Sequence, residues 1–73
     1  MGAKEFAERA AKSTTRVGLA GLIRYRLEKI VELEGLIRST GCAELRGRQT
    51  SARDDLVDEM TALHEIFLKG GAR

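Results

Sequence analysis

The chain has no proline, no tryptophan, one cysteine, one histidine and only three aromatic residues. Each shortage removes a class of protein. Cys42 alone forms no internal disulfide, and Cys42 with His64 falls short of the three or more protein ligands of a zinc site. Neither a disulfide framework nor a metal staple is expected, and no cofactor. No apolar run approaches the roughly 20 residues that span a bilayer. The opening Met-Gly-Ala-Lys-Glu-Phe lacks the uninterrupted apolar stretch of a secretory signal, and Phe6 stands where a myristoylation motif calls for Ser or Thr. A cytoplasmic protein without a membrane partner is the expectation.

With no proline to break them, two stretches carry apolar stripes at helical spacing. In the first, Ala20, Ile23, Leu27, Ile30 and Ile37 recur at steps of three, four, three and seven, a seam of the kind used by packed helices. Leu19, Leu22, Val31, Leu33 and Leu36 flank it, so the apolar arc covers roughly half of the helical cylinder at about 100° per residue. In the second, Leu56, Met60, Leu63 and Phe67 follow at four, three and four. Ser39-Thr40-Gly41 stops the first helix, with Gly41 suited to the left-handed conformation that closes helix ends. The second begins near Ala43, or at Ser51 if Thr50 or Ser51 caps it. The spacing thus predicts an all-α helical hairpin: an N-terminal helical extension over 1–14, broken at Ser13-Thr14-Thr15, a helix over 15–38, a turn over 39–42, a helix over 43–69 and a tail over 70–73.

At 73 residues such a domain buries only about 60% of the surface its unfolded chain exposes. Small domains of this kind are usually completed by a disulfide, a metal or oligomerisation. The first two being absent, the seams predict a homodimer, simplest as a two-fold four-helix bundle.

Net charge is +2 but unevenly spread, +3 over residues 1–38, +2 over 39–53 and −3 over 54–73. Antiparallel packing of a basic helix on an acidic one follows. Binding to nucleic acid is a second possibility, through Arg9, Lys12, Arg16 and Arg24, but Glu28, Glu32 and Glu34 interleave with the bases and aromatic stacking platforms are few. Catalysis is not expected: His64 has no Ser or Cys at helical spacing to activate, and Cys42 has no resolving partner.

The glycines point elsewhere. A glycine costs a helix interior about 1 kcal/mol relative to alanine, yet Gly18 and Gly21 precede Tyr25 at steps of three and four, away from the expected seam. Arg16, Gly18, Gly21, Arg24, Tyr25 and Glu28 form the expected protein-binding patch, Tyr and Arg being the residue types that most often dominate interfaces.

Size, hairpin layout and the run from Arg16 to Tyr25 ahead of a long apolar-seamed helix resemble small helical proteins encoded early by Pseudomonas phages, a group with an anti-quorum-sensing inhibitor that also blocks the pilus assembly ATPase. That resemblance implies a dimeric hairpin that inhibits a host transcription regulator or motor ATPase by surface binding. The hairpin layout is also similar to the Rop-type plasmid copy-number proteins, which implies binding to paired RNA loops. A secretion co-chaperone subunit, its apolar arc covered by a different chain, is a third class.

Overall fold

Two breaks divide the chain into three helices in the computed structural model, which describes residues 2–70. They are α1 (Ala3–Ser13), α2 (Arg16–Ser39) and α3 (Ala43–Leu68), with no strand among the described residues. The protein is all-α. Met1 and residues 71–73, the larger part of the expected tail, lie outside the described residues.

Side-chain hydroxyls set both breaks. Thr14 and Thr15 are extended, and Thr15 Oγ1 accepts from the Gly18 amide at 3.2 Å, satisfying one of the free donors at the start of α2. At the other end Thr40 donates to the Leu36 carbonyl twice, from Oγ1 at 2.6 Å and from its amide at 2.9 Å. Arg46 Nη2 then donates to the Thr40 carbonyl at 2.9 Å. This corrects the role expected of Gly41. Among the described residues only Gly70 has a positive φ, 71°, so α2 is closed by hydroxyl and guanidinium donors and the left-handed glycine stands at the end of α3. Helix α3 starts at Ala43, which places Thr50 and Ser51 inside it. Thr50 Oγ1 donates back to the Arg46 carbonyl at 2.9 Å.

Helices α2 and α3 run antiparallel: Arg16, the first residue of α2, reaches the Phe67 carbonyl near the end of α3 at 3.1 Å. Helix α1 folds back over them and packs mainly on α3. Its alanines make this possible, because Ala7 and Ala11 are buried and present no side chain that would hold the backbones apart. Ala7, Leu19 and Leu63 form the fully buried centre, with Phe6, Leu22, Ile23, Ile66 and Phe67 packed around it.

The packed face of α2 differs from the expected seam by a rotation. Its seam runs through the buried or half-buried Leu19, Ile23, Arg26, Ile30, Leu33 and Ile37, at steps of four, three, four, three and four, with Gly18, Leu22 and Lys29 half-buried beside it. Ala20 and Leu27, placed in the seam from the sequence, are exposed, whereas Ile23, Ile30 and Ile37 belong to it. On α3 Leu63 is buried and Leu56, Met60 and Phe67 are half-buried, as the periodicity requires. Leu19 and Leu33 turn inward with Arg26, whose guanidinium meets Glu59 at 3.0 Å and lies 4.7 Å from the centre of the Phe6 ring.

The result is elongated, 44 × 21 × 16 Å. Its radius of gyration of 13.8 Å exceeds the roughly 11 Å of a globular domain of this length. Its accessible surface of 5214 Å² likewise exceeds the roughly 4,450 Å² of a compact 8.0 kDa monomer.

Candidate interaction surface

The expected patch divides into residues the fold already employs and residues it leaves free. Arg16 is employed: besides its bond to the Phe67 carbonyl, its guanidinium lies 4.2 Å from the Phe67 ring centre. Gly18 is employed too, since a Cβ there would collide with the Thr14 hydroxyl oxygen. Its missing side chain makes room for the α1–α2 corner. Gly21 has no such reason, with nothing within 4 Å of an added Cβ.

Gly21, Arg24 and Glu28 remain together on the outward face of α2, and Tyr25 lies on its flank. The same face holds Val17 and Gly35, which were not expected there, and Val31, which the sequence placed beside the packed seam and the structure turns outward. Val17 is 84% and Val31 62% exposed, and Gly35, like Gly21, has open space where a Cβ would stand. The six positions 17, 21, 24, 28, 31 and 35 step by four, three, four, three and four, all are exposed, and at about 100° per residue they lie diametrically opposite the packed seam. Arg24 Nε and Glu28 Oε1 are 3.7 Å apart at the centre of this face. The spacing was visible in the sequence, but two glycines and two charges hide it from a search for apolar residues.

A second uncovered strip continues the track of α1. Leu22, Lys29 and Leu36 follow each other at seven-residue steps on α2, as do Leu45, Ala52, Glu59 and Ile66 on α3. Helix α1 covers the Leu22 and Ile66 end. Its N-terminus reaches only as far as Asp55, Asp58 and Glu59, where Gly2, Ala3 and Phe6 complete an open hollow of about 480 Å³. Beyond that hollow Leu36 and Leu45 stay about half exposed and Ala52 is exposed. Within the same stretch the shielded side-chain oxygen of Gln49 has no hydrogen-bond partner.

Little else suggests chemistry. The three carboxylates of the hollow face the positive end of α1, which Gly2 leaves without a side-chain cap. Among the described residues no group of three or more His, Cys, Asp or Glu is placed to hold a metal ion. Cys42 is exposed at the N-cap of α3 without capping it, and His64 is exposed. Lys29 donates to Glu32 at 3.2 Å, a hydrogen bond that raises the lysine pKa above its ordinary value and leaves its charge in place. No helix among the described residues is long and apolar enough to cross a membrane.

No family model, no curated protein and no solved structure matches this chain.

Proposed function

We propose that the chain is a non-enzymatic protein-binding module, active as a homodimer, that docks on another protein and inhibits or regulates it. One observation carries this reading: in a chain whose fully buried core is Ala7, Leu19 and Leu63, large apolar side chains stay exposed, surface of the kind that contacts with another chain bury. Exposed Val17, Val31, Leu36 and Leu45 supply apolar groups for such contacts. They fall on two separate faces, which suits a module that self-associates through one and holds a partner through the other. The strip past the end of α1, with Leu36, Leu45 and Ala52, suits a short amphipathic helix lying where α1 would lie if it were longer. The resemblance to phage hairpin inhibitors makes a transcription regulator or a motor ATPase the kind of partner to look for.

Sedimentation equilibrium tests the reading directly. The expected result is a species of twice 8.0 kDa at micromolar concentration, and specific co-purification of one partner that Leu36→Lys with Leu45→Lys abolishes while the dimer persists. A cooperatively melting monomer at every accessible concentration overturns it.

A further inference from the structure

Resting on that reading, we infer that the outward face of α2 is the homodimer interface and that its occupant is the same face of a second copy, packed antiparallel about a two-fold axis. When two α2 helices are aligned so that paired residue numbers sum to 52, Val17 meets Gly35 of the other copy, Gly21 meets Val31 and Arg24 meets Glu28. Every layer is then complementary. Each exposed valine faces a glycine whose missing side chain leaves space for it, and the two central layers bring opposite charges together, joining both Arg24–Glu28 pairs into one four-charge cluster. The steps of four and three keep all six residues in line along a helix pair. A two-fold interface has to be self-complementary in this way, because the patch on one subunit meets its own image.

Other alignments fail on the same residues. A parallel pair stacks Arg24 on Arg24 and Glu28 on Glu28, and sets glycine against glycine to leave voids. Slipping the antiparallel register by one turn sets Val17 against Val31, side chain against side chain, and Arg24 against its own image. The flanks agree with the proposed register. Leu27 on one side and Tyr25 on the other, 49% and 56% exposed in the single chain, each fall near the two-fold axis and approach their own counterparts. The arrangement also accounts for Gly21 and Gly35, each of which costs its helix about 1 kcal/mol relative to alanine although nothing within the chain requires a glycine there. The assembly is a layer of helices with the two α2 elements at its centre, which leaves the Leu36–Leu45 strip of each copy free.

Charge reversal with mixing tests the proposal. Arg24→Glu and Glu28→Arg each place four like charges at the axis, so each variant alone is expected to dimerise at least about tenfold more weakly than the parent. An equimolar mixture restores a one-to-one dimer, since every pair across the axis is again of opposite sign. Gly21→Leu, which improves the helix but fills the space for Val31, is expected to weaken dimerisation while helicity by circular dichroism is kept. For orientation, in a Cys42→Ser background, Val17→Cys mixed with Gly35→Cys is expected to give the mixed disulfide dimer in excess over either like pair. A parent dimer that all of these changes leave intact overturns the α2 interface while the proposed function stands. Excess of the Val17→Cys like pair overturns the antiparallel arrangement. A monomeric parent overturns both the interface and the proposed function.

Discussion

Arg26 and Glu59 face each other across the α2–α3 interface at 3.0 Å, with the arginine side chain only 12% exposed and the glutamate 33%. A charged side chain thus occupies a seam position flanked by Ile23 and Ile30, and it is accommodated because each of its surfaces has a partner. Nε donates to Glu59, Nη1 donates to the Leu22 carbonyl at 3.1 Å, and the guanidinium plane lies over Phe6. This one residue links all three helices.

Removing Arg26 is therefore expected to loosen α1 as well as the hairpin. Arg26→Ala leaves Glu59 unpaired and Phe6 uncovered, at a cost of about 1–3 kcal/mol in line with a hydrogen bond to a charged group. The double change Arg26→Leu with Glu59→Leu is expected to be neutral or stabilising, since well-packed apolar residues often replace such pairs without loss. Urea midpoints of the single and double variants check both statements.

The rotated frame of α2 predicts unequal truncation effects at two leucines close in sequence. Leu19→Ala removes a fully buried side chain and is expected to cost about 2–5 kcal/mol, enough to unfold much of a small domain at room temperature. Leu27→Ala is expected to leave the unfolding of the single chain nearly unchanged and to act on assembly alone. Thermal melts at low and high protein concentration separate the two effects.

Glycine replacements sort by what surrounds them. Gly47→Ala lies in open space on α3, where nothing in the structure explains the glycine. It is expected to stabilise the fold by up to about 1 kcal/mol without touching assembly. Gly18→Ala gains the same helical preference but forces the Thr14 hydroxyl aside at the α1–α2 corner, so no net gain is expected. Denaturation of the two variants side by side gives the comparison.

The α1–α2 corner also depends on its cap. Thr15→Ala removes the acceptor for the Gly18 amide and is expected to cost about 1 kcal/mol. Amide hydrogen exchange should show the loss first at residues 16–19, with protection at the α2–α3 turn unchanged.

At the far end of the hairpin, Arg16 ties the start of α2 to the last turn of α3. Arg16→Ala is expected to raise exchange at Phe67 to Gly70, with a small loss of global stability of about 0.5–1 kcal/mol for an exposed cation–π contact. Unchanged exchange in that segment would show that Gly70 and its bond to the Phe67 carbonyl close α3 unaided.

The sequence by itself determined where this chain is helical and where it is not. The absence of proline, the hydroxyl cluster at Ser13 to Thr15 and the Ser39-Thr40-Gly41 stop act within a few residues of their own positions, so both breaks were legible, whereas the start of α3 stayed open between Ala43 and Ser51 until the structure placed it at Ala43. The stripe Leu56, Met60, Leu63, Phe67 was legible as well, because its steps of four, three and four keep these residues on one side of α3, and the structure buries or half-buries all four. What only the tertiary structure decided was which way α2 turns. Its apolar residues span half the cylinder, so a seam through Ala20 and Leu27 and one through Leu19 and Arg26 are equally good by hydropathy. Glu59 and Phe6, distant in sequence, supply the charge and the ring that accommodate the inward arginine, while Leu19 turns into the core with it. That rotation in turn set Val17, Gly21, Arg24, Glu28, Val31 and Gly35 along the outward face, a line that takes on meaning only once the opposite side of the helix is known to be covered.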